Sequence, residues 1–515
     1  MSSLCLTACV LVSWLCSATL GEPAVPVGAA KEPATDARQS RWKFEGMNLC
    51  QKCHKGPPTE DDKRNGSDKI FDLTEYVTWL EKDKHSHAHA VLKNSQSRQM
   101  GRLLGIKPET DPSCVSCHAG IDSNKCDEGV DPQALQEKGV SCEACHGPAS
   151  GWIDLHSKPK WRKLTREEKA AKGLVELRDA VTRAEVCLSC HVGNAAQGKV
   201  LTHDMYAAGH PPLSGFEIET FAAAMPPHWK PASEQAKYTP EQYAIDPKTE
   251  MHATRMMTIG GLVALREYAR LVGDNAKLRW RPGDVAAGKP GPVGSSATEL
   301  AFYDCQACHH ELTVESWRQK RGYPGRPGRP AVRAWPLALG KLAAAACGPQ
   351  RAPILDALGK FYQAIDKQPF GAPQALAAAS QGLIEKSDAA IRYLQAEPFD
   401  RAKGLAILKE ICATGATELP DFESARQLGW TFLIVYGELT PRPAHNQGIG
   451  EVLAKLKDKL SLTIPTLREE LSHANPSDGE FVARESVSRS LLAAAKYNPV
   501  EFQDDWKRLG ERLSH

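Results

Sequence analysis

The chain has 515 residues, 42% of them hydrophobic, and a formal charge of +2, so it is long enough for two or three domains and carries no disordered-class bias. A nearly balanced charge gives no support for nucleic acid as a partner. Sixteen cysteines are excessive for a cytosolic enzyme unless most of them serve one chemical purpose.

Taken in order, the chain opens on an apolar run from Leu4 to Leu20, with small residues at Ser17, Ala18, Thr19 and Gly21. This reads as a secretory signal over residues 1–21, although the lack of Lys or Arg before it leaves an uncleaved anchor open. Residues 22–44, rich in Pro, Ala and Gly, read as a flexible lead-in. No later stretch reaches ~18 uninterrupted apolar residues. The expected location is periplasmic or otherwise exported, with the mature chain soluble or peripherally membrane-associated.

Five copies of one pentapeptide follow: Cys50-Gln51-Lys52-Cys53-His54, Cys114-Val115-Ser116-Cys117-His118, Cys142-Glu143-Ala144-Cys145-His146, Cys187-Leu188-Ser189-Cys190-His191 and Cys305-Gln306-Ala307-Cys308-His309. Cys-x-x-Cys-His is the attachment signal of c-type haem: two thiols bond to the porphyrin vinyl groups, and the adjacent imidazole becomes the proximal iron ligand. Chance would supply only about 0.02 copies in a chain of this composition, so five decide the matter. Structural zinc needs four ligands per metal, and a redox dithiol has no use for the trailing His. The motifs consume ten cysteines; Cys5, Cys9 and Cys16 lie in the leader, leaving Cys126, Cys347 and Cys412. Five ferric haems would take the net charge to about −3, and five ferrous ones to about −8.

Each iron needs a sixth ligand, and nine histidines outside the motifs lie before residue 311. Between motifs one and two, residues 71–92 read as a helix carrying His85, His87 and His89. Side chains at i and i+2 of a helix point roughly 200° apart, so one of the three is expected to coordinate, with His85 the candidate. After motif three, Gly147-Pro148 stops any helix and turns the chain, so that His156 can reach a neighbouring ring. After motif four, His203 and His210 are seven residues apart, with Gly209 and Pro211 fixing the backbone around the second. His228 is placed ahead of His252 for the remaining iron. Met251, Met256 and Met257 are expected to pack in the core rather than ligate.

The helix with Trp79 and Asp83-Lys84-His85, the block Gly139-Val140-Ser141-Cys142-Glu143-Ala144-Cys145-His146-Gly147-Pro148, and the block from His203 to Pro211 resemble the multihaem cytochromes of the cytochrome c-554 family. The resemblance covers about residues 45 to 230. It implies haems packed in close pairs, mostly with two axial histidines, relaying single electrons between redox partner proteins. In the family's founding tetrahaem member one haem lacks a protein sixth ligand. The fifth motif and a long C-terminal extension depart from that pattern.

Motif five leads into a basic Pro/Gly-rich linker at 319–334, whose arginines suit propionates, an acidic partner or plain solvent. From Trp335 the composition turns to Ala and Leu, with helical stripes at Ile354, Leu355, Leu358, Phe361, Tyr362 and Ile365 and at Leu405, Leu408 and Cys412. The expected fold is mainly α: a pentahaem cytochrome c domain of few regular elements over 45–318, and an all-helical domain over 335–515. Cys347 and Cys412 there are either a disulfide or two buried thiols.

Three functions fit the sequence. Abundant axial histidines favour an electron-transfer protein, because a saturated iron cannot bind substrate. An oxidoreductase acting on a small nitrogen or sulfur compound would need one open iron. A haem-bearing subunit of a larger redox complex would explain the haem-free extension.

Overall fold

The computed structural model describes residues 41–65, 71–231, 234, 237, 250–279, 298–309, 312–314, 326, 328–367, 369–418, 421–440, 447–472 and 484–513. The leader, and with it the expected signal, lies outside these residues, as do His310, His445, His473 and half of the basic linker. The fold is mainly α. Among the described residues the only β-type pairing is three isolated bridges, Phe44 with Cys126, Asn194 with Lys199 and Tyr303 with Val332. No helix among them is long and apolar enough to cross a membrane.

The first part of the chain is made of short helices: α1 (Met47–His54), α2 (Glu75–Lys82), α3 (Pro112–His118), α4 (Cys142–His146), α5 (Ala180–His191), α6 (His203–Ala207) and α7 (Ile218–Ala224). Their own apolar cores are small. One gathers Phe44, Met47, Trp79, Leu92, Val115, Ala119, Ile121 and Leu135, and another only Ala149, Trp152 and Trp161. Side chains alone bury little here, as a domain filled by flat prosthetic groups requires.

The expected single helix through residues 71–92 is two kinds of structure. α2 ends at Lys82, and His85, His87 and His89 lie on or beside two 3₁₀ turns, Lys84–His87 and Ala90–Lys93. The break is local: the Asp83 carboxylate accepts the backbone N–H of His85 at 3.0 Å, capping the new turn and ending the old helix.

The helices after these include α8 (His252–Arg279), α9 (Trp335–Ala343), α10 (Arg351–Asp366), α11 (Pro373–Ala396), α12 (Arg401–Thr417), α13 (Phe422–Leu439), α14 (Gln447–Lys459) and α15 (Pro499–Leu513), with helices over Leu467–Ser472 and Arg484–Lys496 between the last two. α8 is buried nearly all round, the mark of a central helix. It crosses α9 at close range because Gly261 meets the Leu339 carbonyl and Gly340 meets Leu265; a Cβ on either glycine would come within 2.9 Å or less of its neighbour. Buried Arg266 ties α8 to α5 through Glu185 at 2.5 Å and to α11 through Asp388 at 2.9 Å, with Glu267 at 2.8 Å using its Nε–H.

A single apolar core therefore runs from Ala180 to Leu509. α8 precedes motif five in sequence yet packs among the helices after residue 335, and the core is continuous across the linker at 319–334. Met251, Met256 and Met257 are buried in it. Cys347 and Cys412 are buried free thiols, the first donating to the Ala343 carbonyl, so the disulfide alternative does not hold.

Candidate haem-binding site

Motifs one to four each end a helix on their histidine: α1, α3, α4 and α5. One helical turn puts the two thiols at i and i+3 on the same face and the imidazole directly after them. Aspartates start two of these helices, Asp111 accepting Ser113 N–H at 2.9 Å and Asp179 accepting Thr182 N–H at 2.9 Å. Motif five sits on the 3₁₀ turn Cys305–Ala307, capped by Asp304.

Each motif histidine faces one histidine from elsewhere in the chain. The ring centroids are 6.2 Å apart for His54 and His156, 6.4 Å for His118 and His210, 6.5 Å for His146 and His228, 6.5 Å for His191 and His85, and 6.2 Å for His309 and His203. Two imidazoles on one metal, with bonds of ~2.0 Å and ~1.2 Å from nitrogen to ring centre, have centroids ~6.4 Å apart. Direct stacking is closer: His191 and Phe216 lie 4.5 Å apart with planes at 25°. The parallel pair His54 and His156, at 17°, is too far apart for contact and spaced as for an atom between them.

The other ring nitrogen is engaged in six of the ten. Nδ1 of His54 bonds the Glu75 carboxylate at 2.8 Å and that of His85 the Asp83 carboxylate at 2.9 Å. Nδ1 of His118 donates to the Ala88 carbonyl at 2.7 Å, that of His156 to Ile153, that of His210 to Pro211 and that of His228 to Pro226. Engaging Nδ1 leaves Nε2 of these rings free to coordinate, the arrangement that metal-bound histidines use. Burial pushes His118, His146 and His191 down to about 4, so these rings are neutral at ordinary pH. Burial opposes ionisation of Asp83 and Glu75, but their hydrogen bonds to His85 and His54 outweigh it and hold both carboxyls below their usual range.

His89 faces no motif. It is 2% exposed, and its Nε2 is spent on the Glu109 carbonyl at 2.9 Å. His87 is half-buried, and His252 stands at the start of α8 near Arg183. Among the described residues no cluster of three or more His, Cys, Asp or Glu side chains is arranged to hold a bare metal ion; the motif histidines stand instead in facing pairs with a second ring.

A continuous cavity of about 2150 Å³ is lined by motifs one to four together with His85, His156, His210 and His228. A single small-molecule pocket is roughly 300–1,000 Å³, so this space suits several groups in contact. The Cys50 thiol lies beside that of Cys142 and the Cys117 thiol beside that of Cys190, so motifs one and three, and two and four, meet at their thiols. Cys145 of motif three lies in the field of Cys187 and Cys190 of motif four. Thiols, neutral imidazoles and apolar walls in this arrangement fit covalently attached haem.

Residues 49–147, which contain the first three motifs, match the family model described as cytochrome c554 and c-prime. The chain is a c-type cytochrome resembling the cytochrome c-554 family. It is 26% identical over 159 residues to cytochrome c-554 of Nitrosomonas europaea, an alignment covering 29% of this chain and 57% of that protein. The chain thus spans a little over half the length of this relative. No solved structure matches. Such cytochromes carry haem c, with iron, bound covalently through motifs of this kind.

Several contacts around these cytochrome motifs were not legible beforehand. Glu143, inside motif three, is 2% exposed and accepts three backbone N–H groups, from Glu45 at 3.0 Å, Gly46 at 2.8 Å and Ala149 at 2.8 Å, joining the entry to motif one with the exit from motif three. Phe216 and Phe221 wall His191, and Phe221 meets Trp430 of α13 at 5.6 Å, so the helical bundle reaches the fourth motif. A lone acid within a motif and aromatics distant in sequence give no periodic signal.

Proposed function

We propose that the protein is an exported multihaem cytochrome relaying single electrons through five covalently attached haems, each iron held between two histidines. The pairing of every motif histidine with a second ring at 6.2–6.5 Å carries the reading. An iron with both axial positions filled exchanges electrons and has no place for substrate, which favours the relay over an oxidoreductase with one open haem. The thiol contacts support a spatial order of haems one, three, four, two. His210 and His203, facing motifs two and five from one short segment, support haem five as the next in line. Redox proteins at the two ends are the partners this requires, and the apolar run Leu4–Leu20 supports export to the periplasm.

Mass spectrometry of the mature chain tests the count: five haem masses should survive denaturation, since thioether bonds outlast unfolding. A ferric spectrum that is entirely low-spin and indifferent to carbon monoxide, nitrite and hydroxylamine after reduction or mixing is the expected result. A high-spin component that binds any of them would turn the assignment to the oxidoreductase.

A further inference from the structure

Between motif four and His203 the chain makes a small hairpin. Asn194 and Lys199 exchange both backbone hydrogen bonds, at 2.8 and 2.9 Å, around Gly198 in the left-handed conformation. The hairpin is held against two motifs at once: Ser116 of motif two donates to the Gly198 carbonyl at 3.3 Å, and Lys199 Nζ donates to Ser189 Oγ of motif four at 3.0 Å. Ser189 Oγ is in turn 3.7 Å from Cys190 Sγ. The ammonium thus lies on the cavity wall, beside the point where Cys117 and Cys190 meet.

No carboxylate lies within ion-pair distance of Lys199 among the described residues, although it faces the field of Cys117, Cys145 and Cys190. Asp83, the acid that also reaches Cys145, is occupied by His85 at 2.9 Å. A half-buried cation with no protein carboxylate beside it among the described residues, placed where Cys117 and Cys190 converge, acts on whatever charge changes there. Reduction of one haem takes up one electron and turns an iron–porphyrin core of charge about +1 into a neutral one, so a fixed positive charge favours the ferrous form.

We propose that Lys199 sets the redox potential of the haem pair on motifs two and four, holding it above the value it would have without that charge. This rests on those motifs carrying haem as proposed above. The residue tunes and positions; it ligates nothing.

The test is a potentiometric titration of the purified holoprotein with dithionite, followed in the α band, for wild type and for Lys199→Gln, Lys199→Met, Lys199→Arg and the exposed control Lys360→Met. The Gln variant keeps the hydrogen-bond donor to Ser189 and loses the charge. One or two of the five one-electron steps should move to lower potential in the Gln and Met variants and stay in place in the Arg and Lys360 variants, with haem mass and low-spin spectrum unchanged. Unmoved steps in the Gln variant, or an Arg variant displaced as far as Gln, would overturn the proposal. Should the Met variant fail to mature, the Gln and Arg comparison decides alone. A wild-type protein lacking only the haem of motif one, three or five, located by peptide mapping, would count against the five-haem relay and leave Lys199 standing, whereas a missing haem on motif two or four would overturn the Lys199 proposal as well.

Discussion

His203 and His210 sit at the two ends of one short segment and serve different motifs: His203 faces His309 at 6.2 Å and His210 faces His118 at 6.4 Å. The segment is pinned from both sides. Glu299, six residues before motif five begins, accepts the His203 backbone N–H at 2.8 Å, and Tyr206 accepts from half-buried Arg333 at 2.9 Å. The fifth motif, which lies beyond the matched residues 49–147, is thereby joined to the part of the molecule that resembles cytochrome c-554.

Replacing His85 by Ala removes the ring facing His191 and should convert one of five haems to a high-spin form that binds carbon monoxide. His87→Ala should leave the spectrum as it is. His89→Ala should also keep five low-spin haems, while costing about 1 kcal/mol in stability because the half-buried Glu109 carbonyl loses its donor. Magnetic circular dichroism and denaturant titration of the three variants separate these outcomes; a high-spin signal from His89→Ala instead would reassign the ligand.

Glu143→Ala should destabilise the N-terminal haem region by on the order of 3 kcal/mol, since three backbone donors lose one shared acceptor. The effect should concentrate on motif one, whose entry at Glu45 and Gly46 is held by that carboxylate. Limited proteolysis should show earlier cleavage near residue 45 than anywhere after residue 180.

The C-terminal helices depend on α8. A fragment of residues 335–515 leaves out the helix on which α9 and α11 pack, exposing Leu337, Leu339, Leu383 and Ile391, each buried in the intact chain. It should be aggregation-prone or molten, showing helical far-ultraviolet dichroism without a cooperative melt. A cooperative, soluble fragment would mean that the bundle closes without α8.

Glu219 on α7 is pushed up to about 7 by burial, partly offset by Arg183 at 3.3 Å. Its folded value lies above the unfolded one near 4.5, so the folded state binds the extra proton between those values. Stability is then greatest below about pH 4.5 for this group and declines as pH rises to about 7, by up to ~3 kcal/mol. Denaturant midpoints of wild type and Glu219→Gln across pH 5 to 7.5 should show a shallower decline in the variant.

The sequence by itself determined the ten motif thiols and the five histidines that follow them, because a contiguous pentapeptide with the spacing that one porphyrin needs is legible without the rest of the fold. It also indicated a mainly α chain, since apolar stripes of helical period are local. Which ring faces which motif was decided only by the tertiary structure, because each pair joins residues far apart in the chain, and His85, His87 and His89 differ in what surrounds them rather than in type. The same holds for α8: its sequence reads as a helix between two motifs, but the company it keeps follows from Gly261, which lets α9 approach, from Gly260, which lets Ile218 of α7 approach, and from Arg266, whose three acidic partners come from three different helices.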